Sequence, residues 1–160
     1  LTEGTYDEHR YITNGERPGA FKKHDYVTGK NEVGSPPEEV ADDLTELIEE
    51  VNAIGAQAPL KAGAYFHARF ENIHPFADGN GRVGRTLLNY WLMINHYPPL
   101  VIYEEDRRAY YDALQTYDEQ EELDPLVTFL EDQTVKTWSR FLKPPAGNVP
   151  PRKGLNFFMN

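Results

Sequence analysis

Residues 74–85 read HPFADGNGRVGR, and this stretch decides how the rest of the chain is interpreted. Its twelve positions hold one histidine, one acid, three glycines and two arginines. The apolar positions that begin at Val83 predict a helix whose first residues lie near Asn80 to Arg82. Backbone N–H groups at a helix start that is reached through glycine form a cradle for an anion. The stretch therefore predicts a phosphate-binding turn.

The polar side chains of this turn have chemical uses beside bound phosphates. Arg82 and Arg85 are three residues apart on one helix face, and two guanidinium groups suit a polyphosphate. Asp78 supplies a carboxylate that would complete a Mg²⁺ site, and the Asn80 amide could orient a phosphate. His74 precedes the cradle, where an imidazole suits a general base for a substrate hydroxyl. The set predicts transfer of a phosphate ester from a nucleotide to a hydroxyl.

Each of these residues also has an ordinary structural explanation. A lone loop histidine such as His74 is more often structural than catalytic, and Asp78 alone could be a turn residue. Arg82 and Arg85 alone could be solvated helix charges. Their concentration in one glycine-led turn favours function for all four. For His67, inside an apolar stripe, we expect a structural role within helix packing.

Composition bounds the class of protein. The 160 residues suffice for one domain with a sizeable core, and 39% of them are hydrophobic. A formal net charge of −10 disfavours binding to nucleic acid. No apolar run approaches the ~20 residues that span a bilayer, so we expect no membrane partner.

The cysteine count and the chain start carry weaker expectations. The chain has no cysteine, which fits a reducing compartment and predicts a cytoplasmic protein, with a secreted effector as the alternative. The opening LTEGTYDEHR lacks an initiator Met and a signal-peptide pattern, so we expect a fragment of a longer protein.

Hydrophobic spacing predicts an all-α protein, a bundle of five to six helices with one small β-hairpin. The hairpin is expected at about residues 19–34, and a short helix before it ends at Asn14 and Gly15. Ser35 is expected to cap the next helix. The helix after the glycines is apolar on most sides, so we expect it at the centre of the bundle. The longer helices are predicted at 36–52, 59–74, 80–95, 104–117 and 124–142, and a Pro/Gly-rich tail or linker at 143–160.

The turn resembles the signature of the Fic family, His-x-Phe-x-Asp/Glu-Gly-Asn-Gly-Arg-x-x-Arg, and all eight specified positions match. Residues 19–29 resemble the family's flap hairpin, and residues 97–114 resemble the segment that shapes its adenosine pocket. The resemblance covers roughly residues 15–142, so we expect a Fic domain over 1–142 with the Fic fold.

The resemblance implies a protein adenylyltransferase that moves AMP from ATP to a Ser, Thr or Tyr hydroxyl of a target protein, with Mg²⁺ as cofactor. It implies that His74 is the catalytic base and that Asp78 holds the metal. Gly79, Asn80 and Gly81 would form the anion hole, Arg82 would bind the β- and γ-phosphates, and Arg85 the γ-phosphate.

The flap and the adenine pocket follow from the same resemblance. A target protein would dock on the flap hairpin by strand addition. Asp118 aligns with an asparagine that family members often place near the adenine, and Lys22 stands where the flap often carries arginine. The residues implied over the nucleotide are Tyr26, Val27, Thr28 and Gly29 on the flap and Tyr110 and Tyr111 near the adenine or ribose.

Regulation and reaction type stay open at this point. Many Fic proteins are inhibited by a helix bearing Ser/Thr-x-x-x-Glu-Gly/Asn, whose glutamate pairs with the residue equivalent to Arg85. We find no complete match, so an inhibitory helix would lie upstream, on a partner, or be absent. The same site could instead remove AMP or transfer another phosphate-containing group, or the domain could be a catalytically silent interaction module.

Overall fold

The computed structural model describes residues 1–27, 33–55 and 57–142, apart from the side chains at 140 and 141. This part of the chain contains five α-helices and no strand, which confirms the all-α prediction. The predicted tail at 143–160 lies outside the described residues. The helices are α1 (Val40–Ile54), α2 (Pro59–Ile73), α3 (Asn80–Ile94), α4 (Arg107–Gln120) and α5 (Asp124–Leu142), with short 3₁₀ turns at Ile12–Asn14 and Glu104–Asp106.

Helix α2 is the centre of the bundle, since it packs against α1, α3, α4 and α5. Pro59 opens it in the first turn, where no intrahelical N–H is required. Small buried residues let its neighbours approach closely. At Gly63, an added Cβ would stand 2.8 Å from Cδ1 of Leu88 on α3.

The prediction that α3 is the central helix is wrong. One face of α3 packs on α2 through buried residues such as Leu88 and Leu92, which are both 0% exposed. Its other face turns outward although it is apolar. Tyr90 is 58% exposed and Met93 52% exposed. Apolar composition therefore overstated the burial of α3, because half of its apolar residues lie on the side that no described helix covers.

Two apolar clusters form the core. One joins α2 and α3 to α4 and α5 and includes Leu88, Leu114 and Leu130. The other joins α1 to the end of α2 and the start of α3, through residues such as Leu47 and Ile73. The second cluster lies at the ends of the two helices that flank residues 74–79, so it gives this loop a fixed base.

The predicted hairpin is not seen. Residues 19–27 and 33–34 form no strand, and Thr28 to Glu32 lie outside the described residues. The backbone groups of the first arm have other partners. Lys22 donates its N–H to the Pro75 carbonyl at 2.8 Å, and Lys23 donates its N–H to the Glu16 carboxylate at 2.9 Å. Contacts with the turn after α2 and with a buried acid thus replace cross-strand pairing here.

Some predicted helix bounds also shift, and α4 begins at Arg107 because residues 104–106 form a 3₁₀ turn. Helix α1 begins at Val40, because residues 37–39 form a turn and Ser35 donates its hydroxyl to Asp43 from outside the helix. The N-terminal segment forms only the 3₁₀ turn Ile12–Asn14, which ends at Gly15 with φ 81°.

The buried face of α3 should carry most of its contribution to stability. We expect Leu88→Ala to lower the free energy of unfolding by about 2–5 kcal/mol, because it removes a fully buried side chain and leaves a cavity. The neighbouring change Leu87→Ala, at a residue 36% exposed, should cost less than about 1 kcal/mol. Urea unfolding followed by circular dichroism measures both. Equal losses would contradict the packing described for α3.

Candidate functional site

His74 ends α2 in a strained backbone conformation. Its φ and ψ are 51° and 60°, in the left-handed region, and its N–H donates to the Phe70 carbonyl at 3.0 Å. Pro75 disfavours a further helical turn at this position. A residue other than glycine takes this geometry only when its surroundings hold it there. The backbone conformation thus places the imidazole at the start of the loop that follows α2.

The His74 imidazole is held in its neutral form. Burial lowers the pKa of His74, and the nearby Lys22 cation lowers it further, while a hydrogen bond to the Glu71 backbone acts in the opposite direction. A lowered pKa leaves the ring unprotonated near neutral pH. The ring can therefore accept a proton, which is the requirement for a general base.

The Asn80 side chain closes the loop on itself. It is buried, donates Nδ2–H to the Phe76 carbonyl at 2.7 Å and accepts the Phe76 N–H at Oδ1 at 2.8 Å. Both ends of the amide are therefore used within the turn. A side-chain amide has two N–H donors and only one is used here, so the expectation that this amide orients a phosphate stays a prediction, beside the backbone N–H of Asn80.

Gly79 connects the loop to α3 with φ 86°. The conformation favours glycine, and an added Cβ would also stand 3.2 Å from Cγ2 of Thr2, which is buried against the turn. The Gly79 N–H donates to Oδ1 of Asp78 at 2.7 Å. The turn therefore fixes the Asp78 carboxylate beside the helix start.

The first turn of α3 presents the anion cradle. Val83 is the first residue of α3 whose N–H donates to a backbone carbonyl of the helix, that of Gly79 at 3.1 Å. The backbone N–H groups that precede Val83 in α3 therefore have no hydrogen-bond acceptor within the helix. An added Cβ on Gly81 would stand 3.0 Å from Nη1 of Arg85, and one on Gly79 would stand 3.6 Å from Nη2 of Arg82. Both guanidinium groups therefore lie beside the amides, as a polyphosphate site requires.

These groups share one open cavity of about 350 Å³, a volume suited to a small-molecule ligand. From the sequence-predicted set, the cavity is lined by His74, Asp78, Gly79, Asn80, Gly81, Arg82, Arg85, Tyr26, Val27 and Tyr111, and it also includes Arg10, Tyr11 and Ala77.

The rest of the predicted site residues lie elsewhere. Tyr110 is buried at 3% exposure and shares a hydrogen bond of 2.7 Å with His67, so it belongs to the core. Asp118 lines a neighbouring cavity of about 500 Å³ together with Glu71. Thr28 and Gly29 fall outside the described residues. The structure thus brings the whole 74–85 motif together, and of the two tyrosines on α4 only Tyr111 joins it.

A metal ion has suitable ligands at this site only in combination with a substrate. Among the residues that the structure describes, no three His, Cys, Asp or Glu side chains converge on a metal position. Asp78 offers one hard oxygen donor beside the phosphate cradle. Mg²⁺ binds through one or two carboxylates together with substrate phosphates and water, so this donor set fits Mg²⁺ with a bound nucleotide.

A layer of buried polar groups supports Arg85 from below, and sequence reasoning missed most of it. Burial raises the pKa of Glu71 to about 7, the Arg85 charge opposes that shift, and the Asp118 charge adds to it. Burial, together with the Arg85 charge, lowers the pKa of His67 to about 4. The expected structural role of His67 agrees with its complete burial. The available signal was the four-residue spacing of His67 and Glu71 on the inward face of α2.

Glu16 is a second group that sequence reasoning missed. It is 0% exposed and accepts hydrogen bonds from the Lys23 N–H at 2.9 Å and the Tyr26 hydroxyl at 3.0 Å, with His24 Nδ1 also at 3.0 Å. Burial, together with the hydrogen bond to Glu16, raises the pKa of Tyr26 to about 12. Glu16 therefore fixes a wall of the cavity. A glutamate in a polar stretch gives no pattern from which this could be predicted.

Proteins similar in sequence carry a named activity. The chain is 43% identical over 84 residues to the protein adenylyltransferase Fic of Aedes aegypti, an alignment that covers 52% of this chain and 17% of the mosquito protein. It is 42% identical over the same length to the protein of the same name in Culex quinquefasciatus, with the same coverage of both chains. The chain thus spans a small part of the curated relatives that it matches.

Solved structures share the fold. A Fic-domain-containing signaling protein from Bacteroides thetaiotaomicron superimposes with a TM-score of 0.68 at 27% identity, over 78% of this chain and 54% of the other. Fic-1 from C. elegans, residues 134–508, superimposes with a TM-score of 0.67 at 27% identity, over 80% of this chain and 37% of the other.

The family model described as Fic/DOC family matches residues 2–92, which include α1, α2, the turn at 74–79 and most of α3. Because this match spans more than half of the chain, the protein belongs to the Fic/DOC family.

Proposed function

We propose that this domain transfers AMP from ATP to a Ser, Thr or Tyr hydroxyl of a target protein, with Mg²⁺ as cofactor. The observation that carries the proposal is the placement of a half-buried imidazole with a lowered pKa in one cavity with an anion cradle and two guanidinium groups. The relatives named protein adenylyltransferase support the same activity.

In the proposed reaction, His74 takes the proton of the target hydroxyl as its oxygen attacks the α-phosphorus of ATP. The new bond joins that oxygen to phosphorus, the bond from phosphorus to the β-bridging oxygen breaks, and pyrophosphate leaves. The open amides at the start of α3 stabilise the charge that develops on the α-phosphate oxygens. Mg²⁺, held by Asp78 and the phosphates, would neutralise phosphate charge.

The other proposed nucleotide contacts fall into two groups, those to the phosphates and those to the nucleoside. Arg82 and Arg85 bind the β- and γ-phosphates, since both guanidinium groups lie beside the cradle. Tyr26, Val27 and Tyr111 would contact the nucleoside from the cavity wall, with Thr28 and Gly29 continuing the flap over it. Tyr110 packs in the core and also lines a neighbouring cavity with Arg85 and Tyr111, where it would lie near the adenine or ribose.

Three further parts of the proposal concern partners and location. The target would dock on the flap segment at 19–34, an inhibitory helix from outside this chain would pair with Arg85, and the site would work in the cytoplasm. Over the residues that the structure covers, no helix has both the length and the apolarity to cross a bilayer.

Removal of the proposed base should abolish chemistry and spare binding. We expect His74→Asn to lower the rate of AMP transfer by about 10²–10⁴-fold with ATP affinity unchanged, because asparagine tolerates the left-handed backbone but cannot act as the base. His96→Asn is the matched control, since His96 also has a positive φ, 58°, and lies beyond the end of α3. Mass spectrometry of the modified target measures transfer, and the added mass separates AMP from other groups. Full transfer by His74→Asn would show that another group is the base.

The phosphate role of Arg82 predicts a difference between ligands. We expect Arg82→Gln to weaken ATP binding by about 10- to 100-fold, since it removes charge-assisted hydrogen bonds, and to leave AMP binding nearly unchanged. Arg108→Gln, on an α4 side chain 94% exposed, should change neither. Calorimetry with both nucleotides decides between the outcomes. An equal loss for AMP and ATP would place Arg82 away from the β- and γ-phosphates.

The metal role of Asp78 predicts a shifted Mg²⁺ requirement. We expect Asp78→Asn to raise the Mg²⁺ concentration needed for half-maximal transfer, because the amide oxygen is a weaker donor than the carboxylate. Asp112→Asn, on the exposed face of α4, is the control. A Mg²⁺ titration of the transfer rate is the measurement. An unchanged requirement would remove Asp78 from the metal site.

A further inference from the structure

His74 is held on both sides by chain segments that are distant in sequence. The Lys22 N–H donates to the Pro75 carbonyl at 2.8 Å, and the Ser35 N–H donates to the Ile73 carbonyl at 3.0 Å. These carbonyls belong to the residues directly after and before His74. The two arms of the flap, residues 19–27 and 33–35, are therefore fastened to the backbone on either side of the imidazole.

The Lys22 side chain joins the two arms to each other. Lys22 is 3% exposed, and its Nζ donates to the Val33 carbonyl at 3.0 Å. Burial lowers the pKa of Lys22, and the charges of Asp25 and Glu16 partly offset this shift. Within the described ranges, no carboxylate lies at ion-pair distance from the Lys22 amine. Burial of an amine costs free energy of folding, and its hydrogen bond to the Val33 carbonyl offsets part of that cost.

The second arm lies directly on the catalytic histidine. Gly34 has φ 73°, and an added Cβ would stand 2.8 Å from Cβ of His74 and 2.8 Å from the Ile73 carbonyl oxygen. Only a residue without a side chain fits at this contact. A displacement of this arm toward α2 would therefore push on the His74 side chain or its backbone, and a displacement away from it would remove the contact that confines them.

We propose that Lys22 is a positioning residue for His74. Its backbone N–H holds the turn after the histidine, while its amine holds the second arm at Val33, so that Gly34 stays in contact with the His74 Cβ. The imidazole is thereby fixed toward the acceptor hydroxyl, and the flap that receives the target is coupled to the catalytic base. This inference deepens the proposed adenylyl transfer and rests on it.

The phosphate cradle should be independent of this link. The loop from Phe76 to Asn80 is closed by its own amide hydrogen bonds, and the guanidinium groups extend from α3. Loss of the Lys22 amine should therefore change catalysis and target binding while nucleotide binding is kept. A general loss of structure would instead reduce all three together.

The experiment compares Lys22→Met, which keeps the backbone N–H and most of the side-chain volume, with Lys22→Arg, which keeps a charged donor. Lys23→Met is the matched control, because Lys23 is adjacent and exposed. For Lys22→Met we expect kcat to fall by about 10- to 100-fold, as misplacement of a catalytic group does, and KM for the target to rise. The KM for ATP should stay within about twofold in all three variants, and Lys22→Arg should recover most of the lost kcat.

Two outcomes would overturn the inference. One is full kcat in Lys22→Met. The other is a parallel loss of ATP affinity and kcat, since this would show a structural role only. If Lys22→Met does not fold, Gly34→Ala tests the same contact from the second arm, and full kcat in that variant would count against the coupling.

A readout that does not depend on transfer separates failure of the inference from failure of the proposed function. The imidazole resonances of His74 in the free protein, assigned by their absence in His74→Asn, should move in Lys22→Met and stay in place in Lys23→Met. If the wild-type protein transfers no AMP, the proposed function fails, and these resonances alone decide the positioning role. Unmoved His74 resonances in Lys22→Met would refute it.

Discussion

The reciprocal hydrogen bonds between the Asn80 amide and the Phe76 backbone are the constraint on which the site depends. They close the turn between α2 and α3 with an amide that is almost fully buried. In the low-polarity interior such a pair is strong, and loss of either partner would leave a buried polar group unpaired. Because the turn is closed internally, the open amides of α3 and the Asp78 carboxylate keep their places without a ligand. This arrangement is preorganised in the sense that electrostatic catalysis requires.

The turn has a rigid support because it directly follows α2, the helix at the centre of the bundle. Helix α2 is surrounded by four other helices and ends at His74, so the position of the imidazole is set by the best-packed element of the fold. Helix α3 starts at the other end of the turn and presses on α2 through Leu88 and Leu92. His74 and the start of α3 are therefore carried by two helices whose relative position is fixed by apolar packing, while the flap arms are attached to them by hydrogen bonds.

The sequence predicted the elements that rest on local patterns. Helical periodicity gave the helices, and the turn at 74–85 specified its own geometry through glycines, a proline and an N-terminal helix start. Prediction from the sequence failed where contacts between distant segments determine the structure. The strand-forming residues before Val27 are held by Glu16 and Pro75 rather than by a partner strand. The sequence could not show which apolar face of α3 is buried, because hydrophobic periodicity does not tell which face packs against another helix. The Glu16 and Lys22 contacts join residues 7 to 53 positions apart, and such pairings leave no trace in a single sequence.

The distribution of buried polar groups separates the part of the fold built for stability from the part built for chemistry. In the described chain, the buried side-chain atoms without a hydrogen-bond partner belong to Tyr6, His67, Arg69 and Glu71, and three of these four residues lie on α2. A buried polar atom without a hydrogen-bond partner costs free energy of folding. The cluster around Leu130, farther from the turn, is hydrophobic. The polar groups on α2 instead lie near Arg85, whose charge lowers the pKa of His67 and opposes the rise of the Glu71 pKa to about 7. The polar atoms without partners are therefore concentrated on the helix that ends at His74, next to the side chain to which the proposed function assigns a phosphate.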